Sequence, residues 1–139
     1  MESVTVTRRF DAGPDAVRAA MDDVEPFMRA AGFDEVTVDD ATIDVANQVG
    51  PVRIELALAV VESTDEAFVY EQREGIFETM TTRYEVTADA DGTRVRAETA
   101  FALDTALVGS FLDATVISIQ RRRELNAQLD YLAEQVGER

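Results

Sequence analysis

The chain of 139 residues is 46% hydrophobic and 29% charged, ordinary globular values that exclude wholesale disorder and leave one domain, residues 1–139, long enough to bury a core. Its 28 acidic residues outnumber 13 basic ones, all arginine, for a formal net charge of -15; such a field repels nucleic acid and anionic membrane surfaces, which are held by clustered cations. Cys and His are absent, which removes disulfides, thiolate nucleophiles, zinc–thiolate sites and imidazole bases and leaves carboxylates, Tyr and hydroxyls for any acid–base work.

In chain order, residues 2–10 alternate with Val4, Val6 and Phe10 on one face, the period of a strand. Gly13-Pro14 opens a helix, because Pro at the first helical position gives up an N–H that has no partner there. Asp15 suits the positive end of the dipole, and Val17, Ala20, Met21 and Val24 form an apolar stripe. Pro26 is expected to end this helix and to push Glu25 out of the helical region, so that a second short turn runs from Pro26 to Gly32.

From residue 34 to 103 the period switches to two, with turn signals at Asp39-Asp40, Gly50-Pro51, the STDE segment, Gly75 and Asp91-Gly92. Six strands in succession read as an antiparallel meander. From Thr105 to Val136 the pattern is that of one long helix. At about 100° per residue, Leu107, Phe111, Ala114, Ser118, Leu125, Leu129, Leu132 and Val136 share a stripe. Val108, Leu112, Val116 and Ile119 make a second patch, expected to pack under the helix pair around Met21 and Met28, with a dimer interface or a flexible gate as the alternatives.

No apolar run approaches the roughly 20 residues that span a bilayer, and the N-terminus lacks a signal-peptide pattern. The expectation is a cytoplasmic protein with no metal or other cofactor, monomeric or weakly homodimeric. Excess acid together with missing Lys suits a salt-saturated cytoplasm, where carboxylate repulsion is screened within a few ångströms.

The order strand, broken helix pair, six-strand meander and long terminal helix resembles the helix-grip fold of the SRPBCC superfamily. That superfamily includes START domains, pollen-allergen-like proteins and polyketide cyclase/dehydrase-like proteins. The local match is FDAGPDAVRAAMDDVEPFMRAAGFDEV, where Phe10, Pro14, Val17, Met21, Pro26 and Phe27 fill the expected places. Relatives often carry Trp near Val17 and Ala19, and this chain has none. The resemblance implies an α+β fold in which a curved antiparallel sheet of about seven strands wraps the C-terminal helix, with two short helices between strands 1 and 2. It also implies an elongated cavity between sheet and helix for a small hydrophobic ligand of the lipid, quinone or polyketide class. The alternatives it leaves open are a cyclase/dehydratase-type enzyme and a regulatory or chaperone-associated interaction module.

Within that frame, Arg122 lies in the apolar stripe of the terminal helix and would meet a ligand's carboxylate or phosphate, pair with an inward Glu, or snorkel past the sheet edge. Glu78, Met80, Thr82 and Tyr84 share a strand face, with Glu78 as the partner of Arg122 or a general base and Tyr84 as a proton donor. Tyr70, Thr99, Phe111 and Ser118 complete the expected lining, and Met21, Phe27 and Met28 its rim. The few aromatics, 7% of residues, favour a core that leaves room at its centre.

Overall fold

A computed structural model describes residues 1–104 and 113–137. Strand β1 (Glu2–Phe10) is followed by helices α1 (Pro14–Asp22) and α2 (Val24–Arg29). Strands β2 (Glu35–Asp39), β3 (Thr42–Val49), β4 (Val52–Ser63), β5 (Ala67–Glu74), β6 (Phe77–Asp89) and β7 (Gly92–Leu103) come next, and helix α3 (Ala114–Gln135) closes the described chain. The seven strands form one antiparallel sheet in the order β1-β7-β6-β5-β4-β3-β2. The meander therefore folds hairpin by hairpin, and β1 closes it by pairing with β7, Val4 opposite Thr99.

Strand β7 shows why the sheet has two distinct faces. Thr93, Val95, Ala97, Thr99 and Phe101 are buried, whereas Arg94 and Arg96 between them are exposed. The buried face packs against α3, about 33 Å long at 1.5 Å per residue, through Ile117, Leu125, Leu129 and Leu132. Helices α1 and α2 cover the same side with Val17, Met21, Phe27 and Met28, all buried.

The break between the two short helices lies at Asp23, not at Pro26. Asp23, with φ -80° and ψ 78°, ends α1 and begins α2. Pro26 is the third residue of α2 and Glu25 is helical. A first-turn N–H has no intrahelical acceptor, so the proline costs the helix nothing there. The first backbone bond of the new helix runs from Phe27 N–H to the Asp23 carbonyl, 3.2 Å.

The long terminal helix is also corrected at its start. Asp113 is extended, with φ -129° and ψ 176°, and its side chain accepts the Val116 N–H. That is an N-cap, so α3 begins at Ala114 and does not run unbroken from Thr105. Leu107, Val108, Phe111 and Leu112 lie outside the described residues. Of the second patch, Val116 is half-buried against the core and Ile119 is exposed, so Ile119 does not pack under the helix pair.

The centre of the molecule is filled. Phe27 and Tyr84 meet edge to face at 5.1 Å, Phe68 stacks on Tyr84 at 5.9 Å, and Tyr70 lies 6.3 Å from Tyr84. These four rings come from α2, β5 and β6. The low aromatic total misled because the aromatics are concentrated in one place.

A candidate binding site around a buried arginine

The interior of the sheet is not purely apolar. Arg121, Glu124 and Gln128 of α3 are buried, as are Asn47 of β3, Thr82 of β6 and Thr99 of β7. Arg121 and Glu124 sit three residues apart, on neighbouring turns of one helix face. Arg121 Nη1 donates to Glu124 Oε1 at 2.5 Å. Arg121 Nη2 donates to the Tyr70 hydroxyl at 3.3 Å and to Thr82 Oγ1 at 3.1 Å. The other carboxylate oxygen, Glu124 Oε2, accepts from Gln120 Nε2 at 3.1 Å and from Asn47 Nδ2 at 3.3 Å. All three neighbours of Glu124 donate, as an ionised carboxylate requires.

The network continues across the sheet. The Thr82 hydroxyl lies 2.9 Å from that of Thr99 and 3.3 Å from Met80 Sδ. Tyr84 donates to Gln128 Oε1 at 2.5 Å, and Gln128 Nε2 donates to the Phe27 carbonyl at 3.2 Å, so Gln128 ties α2 and β6 to α3. Burial pushes the Tyr84 hydroxyl well above the ordinary tyrosine value; Tyr70 acts in the same sense and Arg121 opposes. For Arg121 burial disfavours the charge, yet the oxygens of Tyr70 and Glu124 outweigh it and hold the guanidinium above its ordinary value. The pair is thus a charged one in a dry place, stabilised by the bonds around it.

One atom stands outside this accounting. Arg121 Nε is the single buried side-chain nitrogen or oxygen among the described residues with no hydrogen-bond partner. Arg121 lines a cleft between α3 and strands β3, β4 and β6, with Val45, Ile54, Leu56, Phe77 and Ile117 as apolar walls and Asn47 and Glu124 at the polar end. About 30 Å³ of it admits solvent, enough to hold a water molecule. Larger hollows, of about 450 Å³ each, lie on the outside of the molecule, one over charged residues such as Glu35, Arg53 and Glu55 and one along the solvent face of α3. Among the described residues no cluster of acidic side chains has the arrangement of a metal site.

Several expected site residues stand elsewhere. Arg122 is exposed and donates to the Thr5 carbonyl at 3.4 Å; the inward arginine is its neighbour. Counting apolar residues alone shifts the phase of the stripe toward Arg122. With Leu125 at zero and roughly 100° per residue, Arg121 falls at about -40° and Arg122 at about +60°. The buried residues centre near Arg121 once the polar members Glu124 and Gln128 are counted with Leu129 and Leu132. The Arg–Glu spacing of three in RRRE was the available signal. Ser118 is half-buried and lies with Ile119, Arg122 and Arg123 on the solvent side of α3.

Glu78 is exposed, and its neighbour Phe77 is buried. The register between β6 and β7 shifts between Phe77 and Thr79, which face Leu103 and Ala102, so Glu78 is the extra residue of a bulge and turns outward. It pairs with no arginine inside. The turn before it is tight: a Cβ on Gly75, at φ 153°, would lie 2.4 Å from both Gln72 Oε1 and Leu56 Cδ2. Gln72 is held there by two bonds to the Phe77 backbone, of 2.8 and 3.1 Å.

Met80, Thr82, Tyr84, Tyr70 and Thr99 are all buried on the inner face, where Tyr70 and Thr82 reach Arg121 directly. Met21, Phe27 and Met28 are buried in the packed interior and rim no entrance to the cleft. Phe111 lies outside the described residues.

A curved seven-stranded sheet gripping a C-terminal helix, with a helix pair between its first two strands, is the helix-grip fold. The chain belongs to the polyketide cyclase/dehydrase and lipid transport family, whose model matches residues 1–137. Among solved structures it is similar to the Zhui aromatase/cyclase from a Streptomyces species (TM-score 0.77, 17% identity, 99% of each chain covered). It is similar also to a protein of Thermus thermophilus (0.76, 19%, 97% of each) and to a START superfamily protein from Mycobacterium smegmatis (0.72, 11%, 96% of each). No curated protein matches the sequence significantly.

Proposed function

We propose that the chain binds a small, largely apolar molecule in the cleft between α3 and strands β3, β4 and β6, with the Arg121–Glu124 pair at its polar end. The observation that carries this reading is the unpartnered Nε of Arg121. A buried donor without an acceptor costs about 1–3 kcal/mol, so a group that supplies the acceptor while covering Val45, Ile54 and Phe77 gains on both counts. Family membership and the similarity to an aromatase/cyclase and a START protein support a small-molecule role. The cleft must widen to admit a ligand, and its half-buried walls Phe33, Val49 and Leu56 are the side chains with room to move.

A cyclase-type reaction through Glu78 and Tyr84 lacks support, because one side chain faces solvent and the other is wholly enclosed. The interior carboxylate is Glu124.

Native mass spectrometry of protein purified from its own host, followed by extraction, tests the proposal. A co-purified apolar compound that disappears in Val49→Trp, a substitution at the half-exposed rim, is the expected result. Retention of the compound by that variant would remove the cleft from consideration.

A further inference from the structure

The donor count around Arg121 constrains what the ligand presents to it. A guanidinium holds a carboxylate through two parallel N–H groups on one edge. Here Nη1 is engaged by Glu124, and Nη2 has two acceptors, Tyr70 and Thr82, for its two N–H groups. Of the five N–H groups of the side chain, the Nε–H and the second on Nη1 remain, and because these lie on different edges of the guanidinium no parallel pair is free; of the two, only Nε belongs to an atom with no partner at all. Charge points the same way. The guanidinium is already matched by one buried carboxylate, and both oxygens of Glu124 are occupied by donors. A ligand carboxylate or phosphate would leave a net negative charge in a site whose other walls are apolar, and an uncompensated buried charge is strongly disfavoured.

We infer that the cleft selects a neutral, apolar molecule carrying one hydrogen-bond-accepting oxygen (a ketone, quinone or ester carbonyl) that takes the Arg121 Nε–H, and that Glu124 is the residue that excludes free carboxylic acids. This rests on the binding reading above and replaces the sequence expectation of an anionic headgroup met by arginine. Glu124 acts as a specificity residue through charge: its carboxylate occupies the place an anionic ligand would need.

The test compares two probes of equal chain length at pH 8, a long-chain methyl ketone and the corresponding fatty acid, by calorimetric titration. The wild-type protein is expected to bind the ketone at least tenfold more tightly, with the ¹⁵N–¹H resonance of Arg121 Nε shifting on saturation. Glu124→Gln leaves Arg121 unmatched and is expected to reverse the order in favour of the acid.

Should that variant not fold, a pH series on the wild type serves instead. The acid's affinity is expected to rise toward the ketone's as pH falls through the free acid's own ionisation. Fatty acid binding as tightly as ketone at pH 8 would overturn the neutral-oxygen assignment and leave ligand binding intact. Binding of neither probe would overturn both. Ketone binding with a motionless Nε resonance would overturn the assignment to Arg121.

Discussion

The same chemical pair, arginine with a carboxylate, occurs in two settings of this molecule. On the outer face of the sheet, Glu62 of β4, Arg83 and Glu85 of β6 and Arg96 and Glu98 of β7 form a row of exposed pairs at 3.1–3.6 Å. Beneath the sheet, Arg121 and Glu124 form one pair whose side chains are 7% and 4% exposed. The outer row shares its partners and exchanges them with water, so each link contributes little. The inner pair is almost wholly shielded from bulk solvent. Its worth lies less in net stability than in the cost of separating it, since a charge left alone in the interior has no compensation. The cleft beneath the sheet thus has a permanent dipole at one end.

The largest expected effect follows from breaking the inner pair. Glu124→Leu leaves Arg121 unmatched and should cost about 3–5 kcal/mol, measured by urea unfolding. The double variant Arg121→Met/Glu124→Leu should recover at least half of that loss, because it removes both charges together. A double variant no more stable than the single one would show that the pair's hydrogen bonds to Tyr70, Thr82 and Asn47 matter more than its charge.

The contrast also explains what the sequence could reveal. The outer face was legible because strand alternation is strict: Val95, Ala97, Thr99 and Phe101 inward and Arg94 and Arg96 outward follow from period two alone. The α1 stripe was legible for the same reason. Glu78 was not, because a bulge adds a residue to one strand and reverses the parity beyond it without a mark in the local pattern. Arg121 was hidden by an assumption that the buried stripe of α3 is apolar. Its centre is held by Arg121, Glu124 and Gln128, whose partners Tyr70, Thr82 and Asn47 are 51, 39 and 77 residues distant from the atoms they meet. No local period encodes such pairings. Asp23 in place of Pro26 is a smaller error of the same kind: a proline ends a helix only where its N–H would have been used.

A second consequence of the dry interior concerns pH. The Tyr84 hydroxyl is raised well above its ordinary value, chiefly by burial. Between about pH 10 and that raised value, the unfolded chain has released the proton and the folded chain has not. The unfolded state then binds fewer protons, so stability is full below about pH 10 and falls as pH rises, by about 1.4 kcal/mol per pH unit while that holds. Tyr84→Phe should flatten the alkaline limb of a plot of stability against pH. Tyr131, raised by partial burial and by Asp23, acts with the same sign and accounts for slope that remains.

The smallest effect sharpens the comparison from the outer side. Arg83 and Glu62 meet at 3.1 Å with side chains 43% and 45% exposed. A double-mutant cycle on this pair should give about 0.2–1 kcal/mol in dilute buffer and nearly nothing in molar KCl, where screening acts within about 3 Å. The whole protein should respond in the opposite direction. With 28 acidic residues against 13 arginines, most carboxylates repel one another, and screening that repulsion stabilises the compact state more than the loss of weak pairs destabilises it. The melting temperature is therefore expected to rise with KCl while the Arg83–Glu62 coupling vanishes and the Arg121–Glu124 coupling persists. A melting temperature indifferent to salt would remove the case for a salt-adapted surface. An inner coupling that decayed as fast as the outer one would mean that water reaches Arg121, and the distinction between the two settings would fall.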